Sequence, residues 1–141
     1  MFGDTHLLRW KAATRAAQHA YDSGDFPAAA RLFQDAAEEA EQLLLQRCED
    51  LPTPRMYVAT CQSLAESYRR LGYPELARTI LQSARQRLLR TAADDCLPAT
   101  LRQRCLEELR HALATSPSAA EAAPQPSFTP CWARLCAGSS R

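Results

Sequence analysis

Two matching small-residue patterns constrain this chain more than any other feature. Gly24 is followed by Ala29, Phe33 and Ala36, and Gly72 by Ala77, Leu81 and Ala84. Corresponding positions lie 48 residues apart throughout. In each unit a glycine permits a tight turn before a helix. The alanines five and twelve residues later leave that helix with only methyl groups on the face where another helix approaches. Stacked helical hairpins are built this way.

Composition agrees with an all-α fold. Hydrophobic residues make up 46 % of the 141-residue chain, and glycine occurs only four times. The abundant residues, Ala, Leu, Gln, Glu and Arg, all favour helix. The length suits one ordinary domain. Residues 1–115 are expected to form a helical domain, and residues 116–141 a flexible tail rich in Pro, Ser and Ala.

Helix one is expected over about Thr5–Tyr21, with Asp4 or Thr5 as N-cap. Its small face is Ala13, Ala16, Ala17 and Ala20. Helix two starts near Pro27, a residue suited to a first helical turn, and runs to about Cys48. It buries Ala29, Phe33, Ala36, Ala40, Leu43 and Leu44. The Leu51-Pro52-Thr53-Pro54 stretch breaks the helix, because residues before proline avoid the α region. Thr53 is then expected to cap helix three, with Met56 or Tyr57, Cys61, Leu64, Ala65, Tyr68 and Leu71 inside. Pro74 opens helix four, which buries Ala77, Ile80, Leu81, Ala84 and Leu88. After a loop at Ala92–Leu97, Pro98 starts helix five, with Leu101, Cys105, Leu106, Leu109 and Leu113 as its stripe. That helix reads as a C-terminal cap on two antiparallel hairpins. Phe128, Cys131, Trp132, Leu135 and Cys136 form a small apolar cluster in the tail, either docked or loose.

The turn and the small positions resemble the tetratricopeptide repeat. Gly24-Asp25-Phe26 is similar to that family's glycine–acid–aromatic turn. Ala29, Phe33 and Ala36 match the small, large and small positions of its second helix. Leu64, Ala65 and Tyr68, then Ala77 and Ala84, match the next unit. The resemblance spans about Leu8–Leu113. It departs from the family in its 48-residue offset, where about 34 is usual, and in Tyr73, which directly follows Gly72. It implies a right-handed stack of hairpins that acts as a protein–protein scaffold, adaptor or chaperone-like, with a partner segment in a shallow groove. The equivalent groove face carries Lys11, Thr14, Gln18 and Tyr21 from the first unit, and Gln62, Glu66, Arg69 and Arg70 from the second. The lysine–asparagine pair with which some members clamp a terminal carboxylate is missing. Arg69 and Arg70 offer forked hydrogen bonds to an acidic partner instead.

Other classes of function find less support. The net charge is +1, and acidic residues interrupt the arginine-rich middle, so nucleic-acid binding is a minor alternative. Six cysteines stand without a C-x-x-C pair, so no metal or other cofactor is expected. Cys61 and Cys105 fall on apolar stripes, and the Cys131/Cys136 pair is the better redox candidate. No phosphate loop, nucleotide fingerprint or nucleophile–histidine pattern appears, so catalysis is not expected. No apolar run reaches the roughly 20 residues of a membrane span, and no secretory leader is visible. The expectation is therefore a reducing, cytoplasmic setting. A second reading is a self-associating bundle, in which a homodimer formed through Leu43–Leu45 or helix five supplies the neighbour that two units lack.

Overall fold

Gly24 and Gly72 adopt left-handed backbone angles, φ 81° and 88°, and each closes a helix. The computed structural model describes residues 2–46 and 51–111. Within them lie α1 (Phe2–Asp22), α2 (Phe26–Leu45), α3 (Thr53–Arg70), α4 (Pro74–Ala93) and α5 (Ala99–His111). The fold is all-α. The tail expected at 116–141, together with Leu113 and Cys48, lies outside the described residues.

The two glycine turns share one hydrogen-bond pattern. After α1, the Asp25 N–H donates to the Ala20 carbonyl at 2.8 Å and the Gly24 N–H to the Tyr21 carbonyl at 3.0 Å. After α3, the Tyr73 N–H donates to the Tyr68 carbonyl at 2.9 Å and the Gly72 N–H to the Arg69 carbonyl at 3.0 Å. Both are Schellman closures, which satisfy carbonyls that a helix end would otherwise orphan. The 48-residue offset read from the sequence is thus carried by the backbone. It also places Tyr73 opposite Asp25 as the N-cap of the next helix. Asp25 uses its side chain, accepting from the Ala28 N–H at 3.3 Å, whereas Tyr73 makes no side-chain cap bond.

Successive helices pack on one another, and α5 also reaches α3. Side chains tie helices two apart. Trp10 Nε1 donates to Thr60 Oγ1 at 2.9 Å, and Arg70 Nε to the Tyr21 hydroxyl at 3.2 Å. These pairs lie 50 and 49 residues apart, so α1 and α3 run side by side in the same direction. Arg87 meets Glu41 at 2.8 Å between α4 and α2, and Arg55 meets Glu108 at 3.1 Å between α3 and α5.

The small positions that repeat between the two hairpins are all buried: Ala29, Ala36, Ala77 and Ala84 each have 0 % exposure. Phe33, Leu43 and Leu88 are buried in the same core cluster as Ala29, Ala36 and Ala84, each contributing about 1.5–3 kcal/mol by leaving water. α3 is the central element, buried on more sides than its leucine stripe suggests. Small hydroxyl residues occupy its other contact faces. Thr60, Ser63 and Ser67 donate to carbonyls four residues back, those of Met56, Ala59 and Ser63 respectively, so their polar groups enter the core already satisfied.

Several boundaries and faces differ from expectation. α1 begins at Phe2, so neither Asp4 nor Thr5 caps it. Ala16 is exposed, while Ala17 and Ala20 are buried in the core. Pro52, not Thr53, is the N-cap of α3. The Thr53 N–H turns back to the Leu51 carbonyl at 2.8 Å, which draws Thr53 into the first helical turn and buries its hydroxyl. α4 runs on to Ala93, and Pro98 supplies only the carbonyl that accepts from Arg102, just ahead of α5.

Candidate functional site

The residues expected on the groove face divide into three groups. Thr14 is a correction. Its side chain is fully buried and its hydroxyl donates to the carbonyls of Trp10 at 2.8 Å and Lys11 at 3.0 Å. A threonine at helical spacing reads as a polar surface residue, but its hydroxyl can bond its own helix and then face the core. Lys11, Gln18 and Gln62 are half-buried. Gln18 Nε2 donates to Asp22 Oδ1 at 2.7 Å, one turn along α1.

Tyr21, Glu66, Arg69 and Arg70 come together where α1 and α3 end. Glu66 Oε2 accepts from Arg69 Nη1 at 3.1 Å, and Glu66 Oε1 lies 3.3 Å from Arg70 Nε. Arg70 bridges to the Tyr21 hydroxyl, and the Tyr21 ring meets Phe26 edge-on, centroids 5.2 Å apart at 74°. Two guanidinium groups thus share the one Glu66 carboxylate. The Arg69 and Arg70 side chains stay 30 % and 43 % exposed. The Schellman turn fixes this constellation, because it sets where α1 ends and therefore where Tyr21 meets Phe26.

A second feature has no signature in the sequence. An open cleft of about 240 Å³ lies between the start of α3 and α5, lined by Pro52, Pro54, Arg55, Arg104, Glu107 and Glu108. Arg55 is paired with Glu108, and Arg104 Nη1 donates to the Leu51 carbonyl at 3.3 Å. Its walls come from segments about fifty residues apart, and no local pattern announces it.

The buried thiols are packing groups. Burial, with a smaller push from the Glu41 carboxylate, raises Cys61 to about 12 from an ordinary 9.0. Burial and then Glu108 push Cys105 up to about 11. Burial and the neighbouring Cys61 raise the Tyr57 phenol as well. A nucleophilic or metal-binding thiol needs the opposite shift. Among the described residues no group of His, Cys, Asp and Glu is placed to hold a metal ion. The surplus leucine surface expected on α2 is also smaller than its sequence implies. Leu43 and Leu44 are 0 % and 1 % exposed, leaving Leu45 alone at 53 %. The tail cysteines Cys131 and Cys136, with Trp132, lie outside the described residues. No described helix is long and apolar enough to cross a membrane.

The fold and this polar end-cluster define a small all-α protein of sequentially stacked helices. The chain belongs to the family described as protein of unknown function (DUF2753), whose profile matches residues 8–136. No curated protein and no solved structure matches it significantly.

Proposed function

We propose that this protein is an interaction scaffold that holds an acidic segment of another protein against the exposed sides of α1 and α3. The observation that supports this reading most is the Arg69–Glu66–Arg70–Tyr21 constellation. Arginine side chains lose much entropy when they are immobilised. Here Glu66 and Tyr21 hold them already, so an incoming carboxylate meets prearranged donors at a smaller ordering penalty. Half-buried Gln62 and Gln18 extend the polar face along the two parallel helices. Apolar burial supplies affinity at about 25 cal/mol per Å², and the arginines set orientation.

The test is affinity capture from native lysate with the wild-type chain and with the Arg69→Ala/Arg70→Ala double variant, each verified helical by circular dichroism. A partner that binds the wild type should be lost or released at lower salt from the variant. The same partners retained at the same salt would remove the arginine face from the interaction.

A further inference from the structure

Helix α5 is lightly embedded in the stack. Of its 13 residues only Leu101, Cys105 and Glu108 are buried, whereas α3 is buried along most of its length. One of those three is a carboxylate. Glu108 meets Arg55, at the start of α3, at 3.1 Å. In the packing order α4 lies between α3 and α5, so α5 is a helix that can leave without parting the others.

Side chains bridge the seam between α3 and α5 and leave it open to solvent. The cleft of about 240 Å³ is lined by Pro52, Pro54 and Arg55 from the α3 side and by Arg104, Glu107 and Glu108 from α5. Arg55 pairs with Glu108 there, and Arg104 reaches the Leu51 carbonyl. The two members of the pair sit in unlike surroundings. The Arg55 side chain is 60 % exposed and that of Glu108 is 11 % exposed. Dissolved ions therefore reach the guanidinium. Once Arg55 lets go, Glu108 is a buried charge without its counter-charge, which is strongly unfavourable. The carboxylate regains water when α5 itself moves outward, so loss of the pair and departure of the helix are one event. Arg102 Nε, also on α5, is buried with no partner among the described residues, and such a group weighs against the closed form. The connection to α4 permits the movement, since residues 93–96 are exposed.

We propose that α5 is a lid on the core, latched by the Arg55–Glu108 pair and released as a unit by ions that compete for Arg55, while α1 to α4 stay folded. Release bares Leu101 and Cys105, which belong to the core cluster when α5 is seated, and so turns a sealed end of the core into an apolar surface. The device is separate from the proposed partner site, because Arg69 and Arg70 lie at the other end of α3 from Arg55.

Three cysteines of the full chain report on the lid. Cys105 is buried on α5, Cys61 is buried on α3 beside Tyr57, Glu41 and Arg87, and Cys96 is exposed. Alkylation by iodoacetamide at one fixed pH, followed residue by residue by peptide mass spectrometry, gives the rate at each thiol, with Cys96 as the reference for intrinsic reactivity. Cys105 should react faster than Cys61. Raising NaCl from about 0.05 to 1 M should speed Cys105 several-fold and leave Cys61 unchanged. Arg55→Ala should speed Cys105 about tenfold or more at low salt. Glu108→Gln, which keeps the shape of the side chain and removes its charge, should abolish the salt response. If wild-type Cys105 and Cys61 react at one rate and respond alike to salt, α5 leaves only with the whole fold and the proposal is overturned. That comparison needs neither variant to fold. A folded Arg55→Ala chain with Cys105 as protected as in wild type overturns the latch equally, as does a salt response that survives Glu108→Gln.

Discussion

The indole N–H of Trp10 donates to the hydroxyl of Thr60 at 2.9 Å, with both residues buried and 50 positions apart in sequence. The same hydroxyl donates to the Met56 carbonyl at 2.7 Å, so one threonine joins two parallel helices and satisfies both of its own roles. Trp10 therefore anchors α1 to α3 from inside the core. Thr60→Val keeps the shape but strands the indole N–H, and a buried unsatisfied donor costs about 1–3 kcal/mol. Urea unfolding followed by circular dichroism should show that loss. In a Trp10→Phe background the same Thr60→Val change should cost less, because its partner is already gone. Equal cost in both backgrounds would mean that the bond does not contribute.

Ala29 and Ala77 have 0 % exposure at equivalent places in the two hairpins. Leucine at either position has to push a neighbouring helix away, at about 1–3 kcal/mol. Ala16→Leu is the matched control, since Ala16 is exposed and the change should stay within about 0.5 kcal/mol. Thermal or urea melts of the three variants check the ranking. If Ala29→Leu and Ala77→Leu melt like Ala16→Leu, close helix approach is not what these alanines provide.

Gly24 and Gly72 separate backbone strain from packing. A methyl group at either site meets nothing within 4 Å, yet both sit in the left-handed region. Gly→Ala should thus destabilise each turn by about 1–2 kcal/mol through backbone conformation alone. Gly→Asn should cost less, because asparagine tolerates that region better. Melting temperatures ordered Gly above Asn above Ala at both sites are expected. An alanine variant as stable as the parent would contradict the left-handed turn.

The hairpins were legible because their signals are local. A glycine followed by alanines at fixed spacing reports one turn and one close helix face, and Pro27, Pro54 and Pro74 mark starts to within about one residue. Burial of polar residues was not legible. Thr14, Thr60, Ser63 and Ser67 bond carbonyls of their own helices, so they enter the core at little cost, while a hydropathy pattern counts them as surface. Of the candidate site, the sequence placed Tyr21, Glu66, Arg69 and Arg70 on one face. The bridge from Arg70 to Tyr21 depends on the parallel register of α1 and α3. That register follows from tertiary packing around Trp10 and is not written in either segment alone.

Alkaline pH should expose the contribution of the buried thiols. Burial holds Cys61 protonated up to about pH 12 and Cys105 up to about 11, against an ordinary 9.0. Once the chain unfolds, those thiols lose their protons near the ordinary value. Between that value and the folded ones the native state binds more protons than the unfolded state, so stability falls as pH rises. The stabilisation is therefore complete below about pH 9 and declines progressively above it. Urea midpoints measured from about pH 8 to 11 should drop for the wild type. The drop should be shallower for Cys61→Ala, whose absolute stability differs but whose pH slope is the quantity compared. Cys96→Ala, at an exposed position, should retain the wild-type slope. If Cys61→Ala falls as steeply as the wild type, the Cys61 thiol is not held protonated by burial between α3 and its neighbours.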